Sequence, residues 1–212
     1  MRHPIALPQT APVDYTARME LEARALQFRI SLEDIKPLIW RRIRVPPQAT
    51  MWALHVAIQD AMGWLDYHLH EFLVETATGP VSIGIPTDDD WKPVTPGWEI
   101  PVPLVFREPG ASLRYVYDFG DDWVHTIEFE KIITTGRSVK KAKCTAGERA
   151  CPPEDCGGIP DYLQLVDALA DRTHPEHATI KEWAPQGYDP AHFNPKAIKF
   201  SDPVARFRRM ME

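Results

Sequence analysis

Apolar and polar positions along the chain follow two different periods, and the change of period marks the elements. Leu26, Phe28 and Ile30 share one parity, which predicts a strand from 26 to 30. A turn ending at Pro37 leads to a second strand, 38–45, stopped by Pro46-Pro47. On that strand Ile39, Arg41, Ile43 and Val45 fall on one face, and Trp40, Arg42 and Arg44 on the other. The spacing then lengthens. Met51, Leu54, Ile58, Ala61 and Met62 form one stripe of a helix over 51–62, with Thr50 as its N-cap and Gly63 ending it. Residues 67–74 read as a strand. Residues 79–103 hold six prolines and the run Asp88-Asp89-Asp90, which predicts a long surface loop or flap. The clearest hairpin joins Leu113–Asp118 to Trp123–Lys131 through Phe119-Gly120-Asp121-Asp122, where Gly120 is expected to supply a positive φ. A lysine-rich linker runs to 143, a Cys/Pro/Gly loop spans 144–161, and helices are expected near 162–170, 175–184 and 196–210.

Strands and helices mix without βαβ alternation. The expected fold is therefore α+β: a single-domain roll with a mixed or antiparallel sheet packed against helices. The expected organisation is a loose N-terminal arm at 1–22, a domain at 23–195 and a basic C-terminal helix or tail at 196–212.

Composition narrows the function classes. With 24 Lys+Arg against 30 Asp+Glu the formal charge is −6, which argues against broad nucleic-acid binding through phosphates. Short basic runs remain at Arg41, Arg42 and Arg44, at Lys140, Lys141 and Lys143, and at Arg206, Arg208 and Arg209. Trp40, Arg42 and Arg44 are the candidate nucleic-acid contacts, with pairing to neighbouring carboxylates as the alternative. No stretch has the ~18 apolar residues of a membrane helix, and the first residues lead into no apolar export signal, so no membrane partner is expected and the expected location is cytoplasmic. Three cysteines make no paired framework.

Three constellations could carry chemistry. His68-Leu69-His70 on a strand would project two imidazoles to one face, half of a metal site. The turn Asp118-Phe119-Gly120-Asp121-Asp122, followed by His125, crowds three carboxylates and an imidazole, enough for oxygen ligation of a divalent ion or for local turn bonding. Together these give His68, His70, Asp121 and His125 as candidate ligands for zinc, manganese or iron. The third constellation runs from Cys144 through Cys151 and Cys156 to Gly158, and its cysteine spacing is not that of a zinc ribbon. Buried thiols are the expected reading, with Glu154 and Asp155 free to present carboxylates. Asp118, Asp121, Asp122, His125, Glu154, Asp155 and Tyr162 make up the candidate binding site. There is no phosphate-binding loop, nucleophile elbow or HExxH motif.

These pieces in this order resemble the plasmid pRiA4b ORF-3-like family. The resemblance is carried by Ile39-Trp40-Arg41-Arg42, Leu54-His55, Gly63-Trp64 and His68-Leu69-His70-Glu71-Phe72. Tyr117 through Trp123 with His125, Cys144 through Gly158 with Tyr162, Trp183, and Tyr188-Asp189-Pro190 complete it. It implies a compact α/β roll found on plasmids and mobile elements, some members being described as resolvase-like passengers. No serine-resolvase motif is present here. Two functions follow as expectations. The first is a non-catalytic binding or accessory module, linked to mobile elements, for a protein or nucleic-acid partner. The alternative is a metal-dependent hydrolase or nuclease built from the His-x-His strand and the Asp-rich turn.

Overall fold

The computed structural model describes residues 23–77, 79–88 and 92–212. The N-terminal arm expected at 1–22, and Asp89 and Asp90 of the aspartate run, lie outside the described residues. The core is a mixed sheet of β1 (Arg24–Leu32), β2 (Trp40–Val45), β3 (His70–Thr76), β4 (Gly79–Gly84), β5 (Val94–Pro96), β6 (Ser112–Tyr117), β7 (Trp123–Thr134) and β8 (Lys143–Glu148). Their order is β5-β4-β3-β6-β7-β1-β2-β8, antiparallel except for the parallel β4–β5 pair. Among the described residues five α-helices accompany it: α1 (Met51–Met62), α2 (Val102–Val105), α3 (Gly158–Ala170), α4 (His177–Trp183) and α5 (Pro203–Met210).

Period-2 burial drives the central strands. Phe28, Ile30 and Leu32 of β1, Ile43 and Val45 of β2, and Ile127 and Phe129 of β7 are fully or almost fully buried. Phe28 stacks on Phe129 at 5.1 Å and meets Phe106 edge-on at 4.9 Å. The α1 helix lies on this apolar face, burying Met51, Leu54, Ile58, Ala61 and Met62 as its stripe predicts. Its ends are as expected. Thr50 Oγ1 accepts the Ala53 N–H at 3.2 Å, and Gly63 sits at φ 97°, a conformation that favours glycine.

Four expectations need correction. The proline-rich 79–103 segment is not one loop. Its outer parts pair as β4 and β5, and Val102–Val105 turns as α2, because the prolines sit at element starts and edges. The third strand starts at His70, so His68 precedes it in a bend. The 144–161 loop contains edge strand β8, paired with β2, and α3 begins at Gly158 rather than Tyr162. In the hairpin turn the positive φ values belong to Asp118 (58°) and Asp122 (54°), not Gly120. Aspartate tolerates that region because its side chain bonds the local backbone, and Asp118 Oδ1 accepts the Gly120 N–H at 2.9 Å.

Candidate functional site

Three connections converge at one end of the sheet: 64–69 before β3, the β6–β7 turn 118–122, and 154–158 before α3. They are laced together by hydrogen bonds. Leu65 N–H donates to Glu154 Oε2 at 2.7 Å, and Tyr67 N–H donates to Tyr117 Oη at 3.1 Å. Tyr117 Oη donates to Glu154 Oε1 in a short bond. Asp118 N–H donates to Leu69 O at 3.0 Å, and Gly157 N–H to Asp121 Oδ2 at 3.1 Å. Burial, reinforced by the Glu154 carboxylate that accepts its hydrogen bond, raises Tyr117 well above its ordinary range. The phenol therefore stays a donor across physiological pH. Exposed apolar side chains stand on the same segments: Leu65, Leu69, Tyr67 at 70% exposure and Phe119 at 55%.

His68, Asp118 and Asp155 meet here. His68 Nε2 lies 2.7 Å from Asp155 Oδ1 and 3.6 Å from Asp118 Oδ2, and one donor atom of each residue falls within 4.8 Å of the others. Among the described residues this is the one group of three such donors so placed. Of the four ligands expected from the sequence, only His68 belongs to it. His70 is buried under α1, its ring stacked on His55 with centroids 3.4 Å apart. His125 is buried between Trp64 and Tyr115, each 5.4 Å away. Neither ring nitrogen of either histidine has a hydrogen-bond partner among the described residues. Burial lowers both, His70 well below its ordinary value with the His55 charge adding to the effect, and His125 to about 4. Both are neutral core residues at pH 7. Asp121 turns to the Gly157 amide instead.

Beside Asp155 a depression of about 290 Å³ opens between the start of α3 and α4. Its carboxylates are Asp155, Asp161 and Glu176, and its apolar surface comes from Leu165, Ile180 and the half-exposed Trp183 indole. Asp161 lies in the first turn of α3, where the helix N-terminus favours a carboxylate. Its side chain folds against Gly157, at φ 91°, where any Cβ would collide with it. Sequence reasoning named Asp155 and recognised Trp183. It missed Asp161 and Glu176 as partners of Trp183, since only the α3–α4 packing brings them together.

Tyr162 is buried, and burial raises its hydroxyl above the ordinary range. Asp122 N–H closes the turn on Asp118 O at 2.7 Å. Cys144, Cys151 and Cys156 are buried and free, and burial pushes Cys156 up to about 12 and Cys151 higher still, so all three are core thiols. The Arg42 guanidinium grips Glu130 through two bonds of 2.7 Å, and Arg44 Nε donates to Gln27 Oε1 at 2.9 Å. Trp40 lies under Arg29 at 4.7 Å and Arg42 at 5.2 Å. Carboxylate pairing therefore holds for Arg42, whereas Arg44 is held by a neutral amide. Arg41 is only 1% exposed and donates to Ala61 O, Trp40 O and Glu148 O, tying α1 and β8 to β2.

Fold and site together define a single-domain α+β protein whose surface chemistry sits on loops at one end of a mixed sheet. The chain belongs to the plasmid pRiA4b ORF-3-like protein family, whose model matches residues 24–197. It is similar to the uncharacterized protein y4hQ of Sinorhizobium fredii (strain NBRC 101917 / NGR234), with 34% identity over 180 residues, 81% of this chain and 87% of that protein. It is also similar to the crystal structure of MM3350, a protein of unknown function from Methanosarcina mazei Go1. That match has 35% identity and a TM-score of 0.74, and covers 84% of this chain and 98% of the other.

Proposed function

We propose that this chain is a non-catalytic binding module that takes a lysine or arginine side chain, on a basic segment of a partner protein, into the Asp155–Asp161–Glu176–Trp183 depression. The observation that carries this reading is the depression itself: three carboxylates around an exposed indole. A cation over an indole gains about 0.5–2 kcal/mol, and Leu165 and Ile180 offer surface to an aliphatic stem. Among the described residues no lysine or arginine is paired with these carboxylates, and Asp155 has only the His68 imidazole. The net charge of −6 favours a basic partner over a nucleic acid. Among the described residues no helix is long and apolar enough to cross a membrane, and a cytoplasmic partner is part of the proposal. So is an accessory role for a mobile element, which rests on family membership.

The test is calorimetric titration with a short Lys/Arg-rich peptide at low and high salt. Saturable binding that weakens with salt, and falls about tenfold in Trp183→Ala and in an Asp161→Asn/Glu176→Gln double variant, supports the reading. Binding unaffected by either variant sinks it.

A second reading rests on the His68–Asp118–Asp155 donors, whose closeness suits a divalent ion and is the starting point for the hydrolase alternative. Zinc or manganese should then bind the wild type stoichiometrically and not His68→Ala. A flat titration of the wild type ends the hydrolase reading.

A further inference from the structure

We propose that the cavity between α1 and the C-terminal helix α5, far from the acidic loops in chemistry, binds a single-chain carboxylate of medium length. The cavity has a volume of about 450 Å³, within the range of small-molecule sites. One wall is α1, where Ala53 and Ala57, four residues apart, leave room beside Val56. The facing wall is Phe200, Val204 and Phe207. No residue of α5 is fully buried, so the seam is incompletely filled. It is held at its edges. Phe207 meets Trp52 and Trp98 at 6.0 and 5.0 Å, and Arg206 clamps Asp60 at 2.7 Å.

Among the described residues, most polar groups lining the cavity are already engaged, the exposed Gln48 amide and the Trp98 indole N–H excepted. Trp52 Nε1 donates to Pro203 O at 2.9 Å, and Thr50 caps α1. The two acids are committed as well. Asp60 accepts from Arg206 and from the amide and hydroxyl of Ser201, and Asp202 caps α5 through the Val204 N–H. A largely apolar ligand body suits this lining, because a polar one would lose more water than these few groups could replace. The uncompensated charge is at the rim. Lys140 and Lys141 line the mouth, are exposed, and have no ion-pair partner among the described residues. Two free ammonium groups beside an apolar interior call for an anionic head and a hydrocarbon tail. The volume suits one short acyl chain rather than a diacyl lipid. The wall formed by Phe200, Val204 and Phe207 lies beyond residues 24–197 matched by the family, so the site is built with this chain's own C-terminal segment.

Titration of the full chain with monomeric decanoate at neutral pH tests this. The expected result is saturable one-to-one binding in the micromolar range, with a rise in Tm. A Lys140→Glu/Lys141→Glu double variant should melt like the wild type yet bind decanoate about tenfold or more weakly. Ala57→Phe, where it folds, should block binding, and the surface lysine variant decides the matter where it does not. Three results would overturn the proposal: no saturable decanoate binding, decylammonium binding as tightly, or undiminished binding by the lysine variant. Cosedimentation with phosphatidylglycerol vesicles without binding of monomeric decanoate would also overturn it, assigning the lysines to a membrane surface.

Discussion

Tyr117 and Glu154 show how one side-chain pair holds the loop end together. The phenol donates a hydrogen bond to Oε1 and accepts one from the Tyr67 amide, while Oε2 accepts from the Leu65 amide, so a single carboxylate fixes the 64–69 segment to both neighbours. Hydrogen bonds to charged groups contribute about 1.5–3 kcal/mol, and Tyr117→Phe should lower stability by about that amount in urea unfolding. A change under half a kilocalorie would mean that the bond is exchanged for water at no cost. His70 and His125 act in the opposite sense on acidification. Their folded values lie below the unfolded value of about 6.5, so the unfolded chain takes up protons first. The stability they allow is complete at neutral pH and is lost as pH falls below about 6.5, for His125 down to about 4. For His125 the loss is of the order of 3 kcal/mol. Melting curves across that window should show Tm falling with pH, and His125→Leu should flatten the fall. An unchanged slope in the variant would place the linkage elsewhere.

At the level of elements, α1 is where local signals and packing agree. Thr50 caps its N-terminus, Gly63 closes it in the left-handed region, and the stripe between them covers the sheet. Thr50→Ala removes the acceptor for the Ala53 amide and should cost about 1 kcal/mol, read as a shift in urea midpoint without a change in m. The hairpin turn shows an opposite balance. Asp118 and Asp122, not Gly120, occupy the positive-φ positions, and the Asp118 carboxylate bonds the amides of Gly120 and Asp121. Two of the three aspartates of the turn are thus explained by their side-chain bonds, Asp118 to the turn amides and Asp121 to the Gly157 amide, while Asp122 contributes a positive φ and a backbone N–H and leaves its carboxylate exposed. Of the turn's carboxylates, Asp118 is the one beside His68.

For the whole molecule, acid linkage and charge point the same way. Burial alone would raise Asp66, yet the bond from His55 and the nearby Arg206 hold it low, so this network too loses stability only on acidification. The same Arg206 joins Asp60 and Asp66 of the α1 region to α5, making the C-terminal helix part of the fold although the family match ends at 197. Much of this architecture was legible in the sequence. Period-2 and period-3.6 burial, the Thr50 and Gly63 caps, and the Tyr117–Trp123 turn are local signals, and each depends on residues within a few positions of one another. They determined the α+β class, the hairpin and α1, and the motif order determined the family. The site was decided elsewhere. His68 and His70 are two residues apart, yet one faces Asp155 and the other is buried against His55, because the strand begins between them. Asp155, Asp161, Glu176 and Trp183 are spread over nearly thirty positions and meet only where α4 packs on α3. Local patterns fix what a few neighbouring residues can satisfy alone. Which distant side chains share a surface depends on how helices and loops close over the sheet, and the tertiary structure alone supplies that.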